Sequence, residues 1–342
     1  MDARSFASDN GAGVHPRVMA AIEAANRGHG RGYGHDRFTA DAVERFRQVF
    51  GADAEVLFVF GGTGANVLAL RALVDSYQAV VCAESSHLWR DECGAPERLV
   101  GKLLPVRTDD GKLTPDAVRA ELFGFGEVHH AQPRVISVAQ ATEWGTVYQP
   151  SELAALAELA REHDMLFHVD GARLANAAAA LGVPLGALAR DVGVDALSFG
   201  GTKNGILCGE AVIFFDRDIA ARAAFHRKQT AQLASKMRFL AVQMAALLED
   251  DLWRDLAANA NAMARRLADG LAALPGVTLA QPVDSNAVFV ALPPQSVPAL
   301  QARTHFYVWD PARSIARLMA SWDTEPGDVD DFVARAAEIL TD

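Results

Sequence analysis

Short apolar runs alternate with helical stretches through the middle of the chain, and this alternation restricts the fold more than any other feature. EVLFVF, AVVCA, RVISVAQ and MLFHVDG each have the composition of a buried strand, and segments such as PSELAALAELAREHD between them have that of a helix. Continuous apolar strands between helices indicate a sheet that is covered on both faces and is mostly parallel. The sequence therefore predicts an α/β fold.

The pattern changes near residue 217, and this change predicts a second domain. Long helical stretches reach to about residue 273, with breaks near Ala234 and at Asp250–Asp251, and strands and helices without strict alternation follow. We therefore predict an N-terminal arm and large domain over residues 1–235, and a smaller α+β domain over residues 236–342. A chain of 342 residues is long enough for both.

Composition excludes several classes of protein. The net charge of −11 argues against a nucleic-acid-binding surface, which needs a basic stripe. No apolar run approaches the ~18 residues of a membrane span, and the N-terminus lacks the apolar core of a signal peptide. Cys82, Cys93 and Cys208 are widely spaced and odd in number, which predicts free thiols and a cytoplasmic location. No group of His and carboxylate residues has metal-ligand spacing, so no catalytic metal is expected.

A glycine cluster, FGGTGAN at residues 60–66, follows a predicted strand and opens a predicted helix. The N–H groups at a helix N-terminus favour an anion such as phosphate, and Thr63 adds a hydroxyl donor. The cluster matches neither the Walker A loop nor the GxGxxG motif. By itself it is therefore equally consistent with a tight turn that holds no ligand.

Three further residues lie at the ends of predicted strands: His87, Asp170 and Lys203. Ligands of open α/β sheets bind at the carboxyl ends of the strands. Asp170 would be costly to bury without a partner, and Lys203, within SFGGTKNG, would become a nucleophile if burial lowered its pKa. Taken singly, each has a simpler explanation, as a surface histidine, a helix-capping aspartate and a solvated turn lysine.

Pyridoxal phosphate (PLP) is the one ligand that needs all of these groups at one edge of a sheet. Its phosphate suits a helix N-terminus, its pyridine nitrogen suits a carboxylate, and its aldehyde suits a lysine. The aromatic ring also accepts a planar group on its face, and His87 can stack there. Together, the features predict a PLP site.

With these residues in place, the sequence resembles the threonine aldolases among the aspartate-aminotransferase-like (fold type I) PLP enzymes. The resemblance covers most of the chain and is carried by FASDNGAG, YGHD, GGTGAN, HVDGARLANAAAALG, DALSFGGTKNG and ARLMASWDT. It implies the fold-type-I architecture and a homotetramer of two dimers, with active sites at the dimer interface. It also implies cleavage of threonine or allo-threonine to glycine and acetaldehyde.

The resemblance implies roles for five cofactor-binding residues. Lys203 is expected to bind the aldehyde of PLP covalently, and Asp170 to hold its pyridine nitrogen. Arg173 is expected near the phenolic O3′ side of the ring. Gly62 and Thr63 are expected to hold the phosphate.

Further roles concern the substrate. His87 is expected to stack on the ring and is a candidate base for the substrate hydroxyl. Ser8 and Arg317 are expected to bind the substrate carboxylate, the arginine through a bidentate fork. Tyr33 either extends toward the site of the neighbouring subunit or is an ordinary packing residue of its turn.

The chain also departs from the pattern of the family. Glu143 stands where many members have a histidine, Asp91 and Glu92 replace an aromatic residue, and KQTAQLASKMR lacks a GGG stretch. These differences leave the size of the substrate open, with phenylserine as a candidate, and they leave open which group removes the hydroxyl proton. Glu143 is a candidate for that catalytic role, alone or with His87, and its alternative is to cap the turn that follows.

Other functions stay open at this stage. Another fold-type-I lyase, of the β-eliminating kind, would share the cofactor residues. A non-catalytic PLP-binding protein would not need to keep Lys203, Asp170 and Arg317 together. A nucleotide-binding Rossmann protein is disfavoured because the GxGxxG motif is missing.

Overall fold

The computed structural model describes residues 4–341 and places the predicted alternation of strands and helices in two sheets. The strands are β1 (Glu55–Val59), β2 (Gln78–Ala83), β3 (Lys102–Val106), β4 (Gln132–Ala139), β5 (Leu166–Gly171), β6 (Ala196–Gly200), β7 (Glu210–Phe214), β8 (Thr278–Leu279), β9 (Ala287–Ala291), β10 (Tyr307–Asp310) and β11 (Ile315–Met319). The α-helices are α1 (Pro16–Ala25), α2 (Arg37–Phe50), α3 (Gly62–Leu73), α4 (His87–Arg90), α5 (Ala95–Leu99), α6 (Pro115–Arg119), α7 (Pro150–Glu162), α8 (Leu174–Leu181), α9 (Arg217–Gln229), α10 (Arg238–Leu248), α11 (Leu252–Ala272), α12 (Val297–Arg303) and α13 (Pro326–Thr341).

The large sheet has the strand order β1-β7-β6-β5-β4-β2-β3. Strands β3, β2, β4, β5 and β6 pair in parallel, whereas β7 is antiparallel to both β6 and β1. The segment between β6 and β7 is too short for a crossover helix, which explains the reversal, because parallel neighbours need a connection of roughly a dozen residues or more. The α/β fold with a mostly parallel sheet is confirmed.

Strand β3 is an edge strand that the sequence analysis did not anticipate. It pairs only with β2, and Pro105 lies within it. Proline lacks an N–H group for the ladder, so it occurs in sheets mainly on edge strands. Pro105 therefore makes this strand difficult to recognise from the sequence.

Apolar clusters on the two faces of the large sheet fix the helices that surround it. On one face, Phe46 and Phe50 of α2 meet Phe58 of β1 and Phe199 of β6, with ring centroids 5.6–5.9 Å apart. On the other face, α3 packs on the sheet and is covered by α9. Both faces are therefore buried, as the continuous apolar strands predict.

The small sheet has the order β10-β11-β9-β8 and is antiparallel. The N-terminal segment joins it, because the N–H of Met319 donates to the carbonyl of Phe6 at 2.8 Å and the N–H of Phe6 donates to the carbonyl of His305 at 3.0 Å. Phe6 is buried in the apolar core of this sheet. From there the chain runs to the edge of the large sheet, where residues 8 and 9 lie.

The helices after residue 217 contact both halves of the molecule. The breaks predicted near Ala234 and at Asp250–Asp251 are confirmed, because α9 and α10 are separate helices and Asp250 has a left-handed φ of 50°. Helix α10 packs on α1 and α2, and α11 packs on α8 and α13. The domain boundary at residue 235 stays a prediction.

Among residues 4–341, no helix combines the length and the apolar character that crossing a bilayer requires.

Candidate active site

The carboxyl ends of β1, β2, β4, β5 and β6 surround two adjoining cavities at one edge of the large sheet. The inner cavity measures about 50 Å³ and the outer cleft about 420 Å³. Four predicted residues line both cavities, namely His87, Glu143, Arg173 and Lys203. Gly62 and Asp170 line only the inner cavity, and Ser8 and Arg317 line only the outer cleft.

Lys203 lies in a 3₁₀ turn directly after β6. The end of β6, just before this turn, packs very closely on its surroundings, because a Cβ atom at Gly200 would lie 2.4 Å from the carbonyl oxygen of Ala172. Among the described residues, Lys203 has no hydrogen-bond partner and no ion-pair partner in contact with its amine. The positive charge of Arg173, and then burial, lower the pKa of Lys203. The amine is therefore easier to deprotonate, which a nucleophilic lysine requires.

Asp170 ends β5 and is held in a single orientation. Its Oδ1 accepts the N–H of Ala172 at 2.9 Å, and its Oδ2 accepts a hydrogen from Nδ2 of Asn66 at 2.8 Å. The carboxylate is largely buried but lines the inner cavity together with Lys203. A carboxylate and an amine at one small cavity can hold the two ends of a pyridoxal ring.

Helix α3 begins at Gly62 with open space in front of it. The first turn of a helix leaves N–H groups without partners inside the helix, and Gly61 provides no side-chain cap. A Cβ atom at Gly61 or Gly62 would meet nothing within 4 Å. Thr63, the next residue, is exposed. This turn can therefore receive an anion from the direction of the cavity.

Gln232 covers the far side of this turn, and the sequence analysis missed it. Its Oε1 accepts the N–H of Phe60 at 3.0 Å. A Cβ atom at Gly64 would lie 2.4 Å from the Gln232 side chain, so the third glycine of the cluster makes room for Gln232. Only the three-dimensional contact identifies this residue, which lies in the KQTAQLASKMR segment.

His87 begins α4 and contacts two carboxylates. Its backbone N–H donates to Oε1 of Glu143 at 2.7 Å, and its ring Nδ1 lies 3.0 Å from Oε1 of Glu92. The hydrogen bond with Glu92 raises the pKa of His87 against the effect of burial. Burial raises the pKa of Glu143 to about 7. Glu92, rather than Glu143, is therefore the carboxylate that contacts the ring.

Arg317 projects from β11 into the outer cleft without a carboxylate partner among the described residues. Its guanidinium lies over the rings of Trp309 and Tyr307, at 5.0 and 5.5 Å from their centroids, and donates only to the carbonyl of Ala7 at 3.4 Å. Its Nε is buried without a hydrogen bond. Burial, and then the charge of Arg173, lower the pKa of Arg317. A buried cation with spare donors suits an anionic ligand. Ser8 lines the same cleft.

Arg173 forms a buried ion pair with Asp9, which the sequence analysis did not single out. Nε and a terminal nitrogen of Arg173 donate to the two carboxylate oxygens at 2.8 and 2.9 Å. Asn286 donates a third hydrogen bond to Asp9 at 3.0 Å. Burial alone would raise the pKa of Asp9, but the charge and hydrogen bonds of Arg173 outweigh it and lower that pKa.

Tyr33 does not line either cavity. It has a φ of 60°, its side chain is about half exposed, and Nζ of Lys228 lies 5.2 Å from its ring centroid. Its role at the site of a neighbouring subunit stays a prediction.

The fold and the site together define a fold-type-I PLP-dependent lyase. A family model described as "Beta-eliminating lyase" matches residues 5–293, and the chain belongs to this family. It is 48% identical to the low specificity L-threonine aldolase of Pseudomonas aeruginosa, with 94% of each chain covered. It is 44% identical to the enzyme of that name from a Pseudomonas species, with 99% of this chain and 98% of the relative covered.

Solved structures agree with this assignment. The threonine aldolase of Leishmania major superposes with a TM-score of 0.92 at 31% identity, covering 98% of this chain and 99% of that one. The aspartate aminotransferase of Thermus thermophilus superposes with a TM-score of 0.72 at 16% identity, covering 98% and 90%. The second match shows the fold alone. The resemblance to threonine aldolases is confirmed.

The Asp9–Arg173 pair leads to a prediction about stability. Asp9→Asn leaves a buried guanidinium without a counter-charge, so at pH 7 we expect the free energy of unfolding to fall by about 3 kcal/mol. Because Arg173 lowers the pKa of Asp9 from 3.8, this contribution is full above that pH and is lost as the pH falls through the lower folded value. Urea denaturation across this pH range measures it. Asp53→Asn, which breaks the exposed pair with Arg190, is the matched control and should change little. An equal loss in both variants would contradict the prediction.

Proposed function

We propose that this protein is a PLP-dependent aldolase that cleaves a β-hydroxy-α-amino acid to glycine and an aldehyde. L-threonine and L-allo-threonine are the expected substrates, and phenylserine is a larger candidate. One observation carries the proposal: Lys203 and Arg317 line the same cleft, and neither has a carboxylate partner among the described residues. The amine of Lys203 suits an aldehyde, and the guanidinium of Arg317 suits the carboxylate of an amino acid. The threonine aldolase relatives support the same reaction.

The residues of the inner cavity fit PLP. Lys203 would hold the aldehyde, Asp170 the pyridine nitrogen, and the open turn at Gly62 and Thr63 the phosphate. When bound, PLP supplies an electron sink that stabilises negative charge at the α-carbon of the substrate. Arg173 lines both cavities, but its bonds to Asp9 occupy two of its nitrogens. Its contact with the O3′ side of the ring is therefore proposed for the remaining terminal nitrogen.

In the outer cleft, the chain binds and orients the substrate. Arg317, with Ser8, would fix the carboxylate and so direct the bond between the α- and β-carbons away from the ring plane. Cleavage of that bond requires a base for the proton of the β-hydroxyl. His87, Glu143 or a water held between them is positioned for this role, because both residues line both cavities.

We also propose that the protein is a homotetramer of two dimers, with Tyr33 extending toward the neighbouring site. The resemblance to the threonine aldolases supports this proposal. Sedimentation of the purified protein tests the assembly.

A cytoplasmic location is proposed because Cys82, Cys93 and Cys208 are free thiols.

A β-eliminating lyase is the competing function, and product analysis separates the two. With threonine or phenylserine, an aldolase releases glycine and an aldehyde, whereas a β-eliminase releases ammonia and a keto acid. We expect glycine and an aldehyde in equal amounts. Ammonia as the main product would overturn the proposal.

Lys203→Ala should remove the covalent link to PLP and nearly all turnover. The variant should still fold and bind PLP weakly through the phosphate turn, and it should lack the visible absorbance band of the bound cofactor. In the unmutated protein, borohydride reduction followed by peptide mapping should place the cofactor on Lys203. Lys112→Ala, which removes a lysine paired with Glu152, is the control. Label on any other lysine contradicts the assignment.

Arg317→Leu should weaken recognition of the substrate and leave the cofactor spectrum unchanged. Loss of a charged contact to a carboxylate should cost about 2–4 kcal/mol of transition-state binding, or roughly 30- to 1,000-fold in kcat/KM for threonine. The control is Arg313→Leu, which removes an exposed arginine paired with Asp310. An unchanged kcat/KM in Arg317→Leu would mean that this side chain does not bind the substrate.

Glu143→Gln tests the acid at the end of β4. The change keeps the shape and removes the charge, so kcat should fall roughly 10²-fold if Glu143 takes part in proton transfer. The absorbance change on adding glycine should persist. If Glu143 is the base, the acid limb of the kcat profile lies near its pKa of about 7 and the variant should lack this limb, whereas a limb that persists in the variant belongs to His87. A rate like that of the wild type at every pH would leave Glu143 a structural residue.

A further inference from the structure

Glu92 is a buried carboxylate that the proposed reaction leaves without a role. Its side chain has no exposed surface, and Oε2 has no hydrogen-bond partner. Oε1 therefore carries both polar contacts of the group, with Nδ2 of Asn66 at 2.9 Å and with Nδ1 of His87 at 3.0 Å. A buried carboxylate is costly unless hydrogen-bond donors compensate its charge.

Asn66 has only one orientation that these contacts allow. Its Nδ2 faces Oε1 of Glu92 at 2.9 Å and Oδ2 of Asp170 at 2.8 Å, so both amide hydrogens are used on carboxylates. The flipped amide would bring an oxygen against two carboxylate oxygens, which is repulsive. Asn66 therefore cannot give Glu92 a further hydrogen, and the remaining donor in contact is the ring of His87.

The contact with Glu92 also determines which nitrogen of His87 is free. A carboxylate oxygen accepts hydrogen bonds, so Nδ1 carries the hydrogen in this contact, and in a neutral imidazole the other nitrogen then has a lone pair. Nε2 has no hydrogen bond with a described residue. The side chain is 38% exposed and lines both cavities, so this nitrogen is accessible to a ligand.

We propose that Glu92 is a positioning residue: it holds the hydrogen of His87 on Nδ1 and leaves Nε2 as the acceptor of the substrate hydroxyl proton. The inference rests on the proposed aldolase function and selects the base that this function leaves open. Asn66 connects the pair to Asp170, so the orientation of His87 and that of the carboxylate at the pyridine nitrogen are fixed by one chain of hydrogen bonds.

Other charged groups also act on His87. Glu143 holds its backbone N–H, Asp170 raises its pKa and Lys203 lowers it. Asp91 and Arg173 line the same cleft. The hydrogen bond with Glu92 has the largest effect among the groups that shift the pKa of His87, and its direction is upward. Removing the charge of Glu92 should therefore lower the pKa of the ring.

The tautomer is measured first in the unmutated holoenzyme, so the result does not depend on any variant of Glu92. Solid-state NMR of protein labelled with nitrogen-15 in histidine reports which ring nitrogen carries the hydrogen, and the signal missing in His87→Asn assigns His87. We expect the neutral ring to carry it on Nδ1. A neutral ring with the hydrogen on Nε2 would overturn the proposal.

Glu92→Gln then tests the effect on catalysis. We expect the pKa of His87 to fall, because its hydrogen bond with the charged Glu92 raises it, and the acid limb of the kcat profile to move to lower pH with it. The highest kcat should fall about tenfold or more, because the base is weaker and less well oriented. KM should change little. Glu97→Gln, which removes an exposed carboxylate from the same segment, should change none of these.

Two outcomes would contradict this role. An unchanged His87 titration and pH profile in Glu92→Gln would make Glu92 a packing residue. A lower rate without any shift of the pH profile would mean that Glu92 does not set the protonation of His87. If the unmutated enzyme instead released ammonia, the aldolase function would fail, and the NMR result would show separately whether the His87–Glu92 geometry holds.

Discussion

The buried ion pair between Arg173 and Asp9 is the contact on which the geometry of the site depends. Arg173 follows β5 of the large sheet, whereas Asp9 belongs to the N-terminal segment that Phe6 ties to the small sheet. The bidentate geometry restricts distance and angle together. The pair therefore fixes the small sheet, which carries Arg317, against the sheet edge that carries Lys203. A site built from two sheets needs such a link, because neither sheet alone contains both cations.

The same pair sets the balance of charge in the cleft. Arg173, Lys203 and Arg317 are three cations in one cleft, and the charge of Arg173 contributes to the lowered pKa of Lys203 and, after burial, to that of Arg317. Asp9 compensates Arg173 locally, so its charge can depress the pKa of the lysine without leaving an unpaired buried guanidinium. Lys203 and Arg317 keep N–H groups that are available to a ligand. A lysine that is easily deprotonated and an arginine with spare donors are what an aldehyde and a carboxylate require.

The sequence predicted the parts of the site that follow from strand position. Lys203 and Asp170 were found because chemically unusual residues end apolar strands, and strand ends of a parallel sheet share one edge. Strand β3 was missed because Pro105 weakens its pattern. Asp9 and Glu92 could not be assigned partners, since each meets its partner only through the fold: Asp9 is 164 residues from Arg173 in sequence. The local sequence pattern shows where a residue lies along a strand or helix, whereas the partner of a buried charge is determined by tertiary contacts.

Two carboxylates contact His87, and their different surroundings suit the different tasks proposed for them. Glu143 receives one backbone hydrogen bond, and burial raises its pKa to about 7. Glu92 contacts two side-chain donors through one oxygen and is sealed from solvent. A carboxylate that is closed to solvent can hold a ring in one orientation. Because both acids contact one residue, through its backbone and its ring, replacing either one should disturb His87 in a different way. In the proposed division of tasks, Glu92 orients the ring of His87, and Nε2 of that ring is the base.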